Sequence, residues 1–588
     1  MLAAFPGAGR IDGARLRKHV EHISREYPTR LAGSPAAGAM ARYSASELTA
    51  AGANGRVVQV PGLVSFPEPA RLTLLGATPV QLEAMTAGHS SNTPAGGIEA
   101  EIVDAGNGTA VELERVGAHG KFVLVDLATA PARAEKHRLA LLAGAAGLVT
   151  SNWGPDDGVE LPSGSVKSTW GNPGSRDLAE AETALPSIGL SRRDALALSA
   201  RLRGGEKLRA RIECKAETGW YPVQYTLGEL AGQTDDFVLV GGHQDAWIGP
   251  ASTDNATGSA CMLELARVIS QLRPQLRRGV RFGFWAGHET GCMLSSADYA
   301  DANWDLLRDH AVAYLQIDQP GCRGATVWSG HSNLQLRAFQ EQVDRMVLGD
   351  RPRRWRRSTK IGDASFLGLG VPMFASLGGF PDDVLKANGN AAFGWWHHTP
   401  RNTLDKVDFE DLQAHVRVYA GYLWNLCGLP ALPFDFTEPA QAMATRLRQL
   451  AGAGDPLGLE PLARSCERFG AQAARLKSMV DGCNARGIEG PLDADAQALN
   501  QVQKRLNQLL IGVESSVAER HAHDPYGLSE QATVLPGLHG GERFAALAEG
   551  PDRWVLQTDL RRSRNRLSDL LDQAIETARP LAGAPGGQ

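Results

Sequence analysis

The stretch Val280-Arg281-Phe282-Gly283-Phe284-Trp285-Ala286-Gly287-His288-Glu289-Thr290-Gly291 decides how this 588-residue chain is read. Its first half is largely apolar, the pattern of a strand buried on both faces. Its second half turns through glycine and delivers two metal-capable side chains, His288 and Glu289. Open α/β sheets place their sites at the carboxyl ends of strands.

Working outward, the same arrangement recurs. Phe237 to Gly241 reads as a strand running into His243 and Asp245, and Ala311 to Ile317 as a strand ending at Asp318. Between them Asp254 to Leu272 is predicted as a helix whose apolar face is Met262, Leu265, Ala266, Ile269 and Leu272. Ser295 to Leu307 and Lys406 to Leu426 are further predicted helices. Strands alternating with helices define an α/β architecture.

The chemistry-bearing residues at these ends are His243, Asp254, Glu289, Asp318 and His398. Each alone has an ordinary explanation: an Asp at a helix start is usually an N-cap. Together, in this order, they form a metal constellation. His243 and Asp245 make an H-x-D in which the carboxylate orients the imidazole, and Asp254 has two oxygens with which to bridge two cations. Ligation by His, Asp and Glu without thiolate suits catalytic Zn2+, with Mn2+ or Co2+ as substitutes.

Upstream, Asp12 to Tyr27 and Ala36 to Ala51 are amphipathic at helical spacing, separated by a turn-like Pro28 to Pro35. Residues 70–222 differ in composition. Lys121 to Asp126 and Gly147 to Ser151 read as strands, Ala134 to Ala146 and Ser191 to Leu202 as helices, and Asn152 to Gly174 as a long loop. Beyond Pro430 strand signals almost vanish. Helices are predicted over Gln441 to Leu450, Leu457 to Met479, Ala494 to Arg520 and Asp559 to Ala578. The expected division is therefore 1–69 with 223–430, an insert 70–222, and a helical module 431–588.

Bulk properties exclude several classes. A net charge of −5 with 21% charged residues points to neither nucleic acid nor a membrane surface as partner. No stretch approaches eighteen uninterrupted apolar residues. The N-terminal stretch lacks a signal-like apolar core, so a cytoplasmic location is expected. Seven scattered cysteines without a C-x-x-C pair argue against a disulfide framework.

The segments Val238 to Trp247, Asp254-Asn-Ala-Thr-Gly258, Trp285 to Gly291, Ile317-Asp318 and His398 to Thr403 resemble the co-catalytic zinc peptidases. That family includes bacterial leucyl aminopeptidase, carboxypeptidase Q, glutamate carboxypeptidase II and the transferrin receptor. The resemblance covers roughly residues 12–428. It implies an α/β/α sandwich with a mixed, mostly parallel sheet, and a protease-associated insert matched by Lys121 to Asp126 and Ala143 to Val149. It also implies a C-terminal helical domain that forms a homodimer. By position, His243 and Asp318 would hold one metal, Glu289 and His398 the other, and Asp254 would bridge them. His397 takes the place of a tyrosine that assists catalysis in several relatives. Asp363 matches a loop bordering the substrate pocket, and Trp396 stands beside His397 as a candidate substrate wall, with core packing as its alternative.

One position departs from the family. Where the peptidases carry a glutamate base, this chain has His288. His288 could be the general base of a two-metal hydrolase that cleaves an amide bond in a peptide or small amino-acid conjugate. Alternatively, it could donate a proton in non-peptidase chemistry on an amide or carbonyl, or the site could persist in a non-catalytic relative. Asn402 also stands where relatives often have Asp. The basic run Arg351 to Arg357 reads as a solvated loop face, or else as an anion-collecting edge of the pocket.

Overall fold

In the computed structural model, which describes residues 2–360, 362–452, 454–525 and 533–579, two capped helices open the chain. Asp12 accepts the amides of Ala14 and Arg15 to start Gly13–Glu26, and Ser34 accepts that of Ala37 to start Pro35–Ala50, with Pro35 in the first turn. Strand β1 (Arg56–Pro67) then leads out of the main body into a separate barrel.

The barrel comprises β2 (Pro69–Leu75), β3 (Val80–Thr86), β4 (Ile98–Asp104), β5 (Phe122–Asp126), β6 (Gly147–Ser151), β7 (Ser187–Leu190) and β8 (Leu208–Glu213). They close in the order β2-β3-β7-β6-β5-β4-β8 around Leu72, Ile102, Phe122, Leu124, Val149, Ile188 and Ile212. The expected end of the insert at 222 moves back to between Glu213 and Ala216. Strand β9 (Ala216–Leu230) pairs antiparallel with β1 along its length, from Pro67 opposite Ala216 to Arg56 opposite Leu227. Its first half, Ala216 to Pro222, is mostly exposed ribbon, so no apolar alternation marks it as strand.

The main sheet continues with β10 (Phe237–His243), β11 (Gly279–Trp285), β12 (Ala311–Gln316), β13 (Val327–Ser332), β14 (Arg353–Arg357) and β15 (Met373–Gly379). Its order is β1-β9-β11-β10-β12-β15-β13-β14, with the central β11-β10-β12-β15 block parallel and the flanking pairs mixed. Side chains alternate between two faces. Val238 and Val240 meet the helices Gly13–Glu26, Thr257–Ser270 and Phe409–Gly428 on one face, while Phe237 and Leu239 meet Leu294–Ala302 on the other. The result is the expected α/β/α sandwich.

Several elements differ from the sequence expectation. The helix foreseen from Ser295 to Leu307 is two, Leu294–Ala302 and Trp304–His310, broken at Asn303. Within the basic run, Arg353–Arg357 form the edge strand β14 rather than a loop. Arg351 pairs with Asp411, and Arg356 donates to His331 Nε2 at 3.2 Å, so these guanidinium groups are engaged within the fold.

The four long C-terminal helices, Thr437–Ala451, Glu460–Cys483, Ala494–Ser515 and Pro551–Ala578, do not build a separate core. Leu447, Leu462, Phe469, Leu506 and Leu571 belong to one buried cluster with Val238, Leu265 and Tyr422 of the sandwich. Buried Arg278 reinforces the join through the carbonyls of Leu426, Leu429 and Pro430, and Lys504 pairs with Asp236 at 2.9 Å. Truncating Phe469 to Ala should cost about 3–5 kcal/mol. Because the core is shared, circular dichroism and tryptophan fluorescence should follow the same denaturant midpoint in that variant. Two separated midpoints would show that the helical module unfolds independently.

Candidate metal centre

Each chemistry-bearing side chain is aimed by local backbone. His243 ends β10, and its Nδ1 lies 3.0 Å from the main-chain carbonyl of Asp245, which leaves Nε2 facing the cluster. The sequence expectation had the Asp245 carboxylate in this role. Instead that carboxylate accepts the Glu289 amide at 3.2 Å, and its other oxygen stands 3.7 Å from His243 Nδ1. Glu289 follows β11 through Gly287, whose φ of 78° favours glycine and where a Cβ would lie 2.7 Å from that of Leu294. Trp247 Nε1 donates to Glu289 Oε2 at 2.6 Å and leaves Oε1 for the cluster.

Asp254 does not open a helix, as the sequence suggested. It lies in an extended turn (φ −129°, ψ 84°), and the regular helix begins at Thr257. Asn255 explains the difference. Its Oδ1 accepts the amides of Gly258 and Gln319, and its Nδ2 donates to Ile317 O at 3.1 Å, tying the Asp254 turn to the end of β12 that carries Asp318. Gly258 is required there, since a Cβ would meet Asn255 Oδ1 at 2.2 Å. Asn402 accepts both the amide and the hydroxyl of Thr253, so it anchors the same turn.

The five expected ligands converge. His243 Nε2 lies 3.1 Å from Asp254 Oδ1 and 3.4 Å from Asp318 Oδ1. His398 Nε2 lies 3.3 Å from Asp254 Oδ2 and 3.2 Å from Glu289 Oε1. Ligand atoms around a tetrahedral zinc, with bonds of about 2.0–2.2 Å, stand roughly 3.3 Å apart. His243 Nε2, Glu289 Oε1 and Asp318 Oδ1 are buried without a directional hydrogen bond among the described residues. Buried polar atoms are rarely left so, and the donor set fits a divalent cation.

Charge follows from this crowding. Burial alone would depress the His243 imidazole, but Asp318, Asp245 and Asp254 outweigh it and raise it well above the usual range. Burial also opposes protonation of His398, yet Glu289 and Asp254 raise it to about 9. Burial favours neutral acids, but His398 draws Glu289 down to about 2, and His397 and His243 hold Asp254 well below an ordinary carboxylate.

Around this cluster stand the other candidates. His288 stacks on His243 at 4.0 Å between ring centres, and its Nδ1 lies 2.8 Å from Asp363 Oδ2. Asp363 also accepts from Ser296, so its carboxylate is engaged within the protein. His397 Nδ1 lies 3.0 Å from Asp254 Oδ2, and burial and His398 lower its pKa. Both His288 and His397 therefore come within ligating reach of the cluster. Trp396 is buried, packs on Phe380 and donates toward Thr253.

Four contributors were not assigned from the sequence. Fully buried Arg30 donates to the carbonyls of Gln244, Pro250 and Ala251, fastening the loops that carry His243 and Asp254. Trp247 orients Glu289. Trp153, from the insert, stacks on His397 at 5.3 Å, while Ser163 donates its amide to the His398 carbonyl at 2.8 Å. Only the turn-like proline pair around Arg30 hinted at any of them.

Several known proteins are similar to this chain in sequence or fold. The rat aminopeptidase NAALADL1 (Rattus norvegicus) is 26% identical over 400 residues, covering 60% of this chain and 52% of the relative. A probable glutamate carboxypeptidase, VP8 of Zea mays, is 34% identical over 104 residues, covering 17% and 14%. The chain thus spans about half, or less, of the length of these curated relatives. A Peptidase M28 precursor from Shewanella amazonensis shares the fold with a TM-score of 0.56 at 24% identity, covering 72% of this chain and 95% of that structure. A zinc aminopeptidase from Bacillus subtilis does so with a TM-score of 0.52 at 20% identity, covering 72% and 96%. Residues 226–423 match the model of Peptidase family M28, a span that holds β10 to β15 and all five converging side chains.

Proposed function

We propose that this chain is a metal-dependent hydrolase that cleaves an amide bond in a peptide or small amino-acid conjugate, at a centre of two zinc ions. The observation that carries the reading is the division of Asp254: Oδ1 faces His243, whose Nε2 also approaches Asp318, while Oδ2 faces His398, whose Nε2 also approaches Glu289. Those groups would hold the two ions, with Mn2+ or Co2+ able to substitute. Bound, such ions polarise a carbonyl and acidify a water. The aminopeptidase relatives support peptide-like substrates.

The chain's own residues supply the proton handling. His288, held by Asp363, stands beside the cluster in position to accept a proton and return it to the leaving amine. Trp153, lying against His397, walls the cluster with an aromatic face. The homodimer is a proposal of the same kind, carried by the resemblance alone.

Three outcomes test this. The zinc-saturated protein should hold two ions per chain, and Asp254→Asn should weaken both sites together; a single ion lost from a pair would remove the bridging role. Next, His288→Ala should keep its zinc while losing about 10²–10⁴-fold in turnover on aminoacyl-anilide or N-acyl amino-acid panels. Full turnover in that variant would end its assignment as base. Finally, the raised imidazoles of His243 and His398 are protonated at pH 7 without a cation and must be neutral to ligate. Zinc binding at pH 7 should therefore release about two protons per chain, with affinity rising as pH approaches 9. Calorimetry in buffers of different ionisation enthalpy measures that release.

A second reading has one specific support. Burial and His243 lower the His288 pKa, but Asp363 outweighs them and raises it above 6.5, which suits a proton donor in chemistry other than peptide hydrolysis. A rate that falls as pH rises through neutrality would favour the donor, and a rising rate the base.

A further inference from the structure

The strands that lead to the metal centre at their carboxyl ends frame a second cavity at their amino ends. Thr234 to Asp236 run into β10, Arg277 and Arg278 into β11, and Arg308 to His310 into β12. Helix Ala494–Ser515 lies across these strand starts and presents Lys504 and Arg505. The space between them is about 750 Å3, the size of an ordinary small-molecule pocket. None of its lining residues belongs to the metal cluster.

The charges of this cavity do not balance. Five arginine and lysine side chains line it against three carboxylates. Two pairs cancel: Lys504 meets Asp236 at 2.9 Å, and Arg308 meets Asp309 at 2.7 Å. The other three guanidinium groups hydrogen-bond to neutral oxygens. Arg278 donates to the carbonyls of Leu426, Leu429 and Pro430, and Arg277 to those of Gly428, Ile488 and Gly490. Arg505 reaches the side-chain oxygen of Gln508 at 3.4 Å. Such bonds satisfy N–H groups and leave the charge uncompensated. Asp235 is the one lining carboxylate left to oppose them. His310, 3.5 Å from Asp236, adds to the excess whenever it is protonated.

Like charges also crowd one another here. Burial disfavours the Arg278 cation, Asp236 offsets part of that, and neighbouring Arg277 adds to it. Burial likewise lowers the pKa of Arg520, and nearby Arg505 and Arg308 push it further down. Arg520 Nη2 is buried without a hydrogen bond among the described residues. A cleft walled by an excess of one sign concentrates ions of the other.

We propose that this cavity binds a small organic dianion, a dicarboxylate or a phosphomonoester. The excess of positive charge sets the charge of the ligand, and guanidinium forks match carboxylate and phosphate oxygens alike. The volume asks for a carbon skeleton, since a bare inorganic anion would leave most of it unfilled. The site stands at the far ends of the strands from His243, Glu289 and Asp318, so it is separate from the hydrolysis proposed above and does not rest on it. A dianion held there ties the helical tail to the sheet, as Lys504 already does.

Calorimetry on the zinc-loaded full chain, at constant ionic strength, tests this with glutarate and phenyl phosphate as dianions and butyrate as a monoanion. At least one dianion should bind saturably and more tightly than butyrate. Arg505→Gln, on an exposed position of its helix, should weaken that binding about ten-fold. Asp235→Asn removes the opposing charge and should tighten it, by up to about five-fold. Binding of glutarate alone identifies a carboxylate ligand, binding of phenyl phosphate alone a phosphoryl ligand, and binding of both the shared chemistry. A dianion captured by the zinc ions instead would be indifferent to both substitutions. The proposal is overturned by an absence of saturable binding at millimolar concentration, by butyrate binding equally well, or by an affinity that Arg505→Gln leaves unmoved. Should Arg505→Gln fail to fold, an affinity unchanged or lowered in Asp235→Asn overturns it equally.

Discussion

The carboxylate of Asp254 is the constraint on which the rest of the centre depends. Two imidazoles approach it from opposite sides, His243 at Oδ1 and His398 at Oδ2, with His397 also on Oδ2. A buried charge so placed is costly unless it is compensated. The fold compensates it at a distance as well as in contact: Arg30, fully buried and bonded only to carbonyls, contributes positive charge toward Asp254, Asp245 and Glu289. The two strand ends, the Asn255 turn and the Asn402 anchor are devices for holding one carboxylate where several groups need it.

The inserted barrel is part of that arrangement. Ser163 clamps the backbone of His398, whose φ of 58° is a left-handed conformation unfavourable for a histidine. Trp153 packs against His397, and Trp170 reaches Ser365. An α/β sheet alone would supply ligands on strand ends; here the groups that orient them come in part from 100 or more residues away in sequence. The helical tail contributes differently, by completing the apolar core beneath the sheet.

How much of this was legible in the sequence follows from the physics of each element. Strands β10, β11 and β12 were readable because both faces are buried and their residues are almost uniformly apolar. Strands β13 and β15 were not, because Val327-Trp-Ser-Gly-His-Ser332 and Met373-Phe-Ala-Ser-Leu-Gly-Gly379 lack β-branched runs and form strands only through their neighbours. The five candidate ligands were legible because strand ends and turns carry them in a recognisable order. Their orienters were not. The choice between the main-chain and side-chain oxygens of Asp245 is a matter of tenths of an ångström, and a lone arginine in a proline turn gives no periodicity to detect. The hydrogen bonds among Trp170, Ser365, Ser296, Asp363 and His288 join three separated segments, and no local pattern announces such a path.

The arginine-rich strand β14 closes the sheet, and its composition bears on how the molecule survives outside its native state. An open sheet ends in unpaired amide and carbonyl groups that can recruit a strand from another chain. On β14 four of five side chains are guanidinium-bearing, and bringing a second copy alongside would set like charges against like. The same residues that gave no strand signal thus act as a barrier to lateral growth of the sheet during synthesis and refolding, when the covering helices have yet to pack. A strand that local preference would never choose is well suited to be the last one in its sheet.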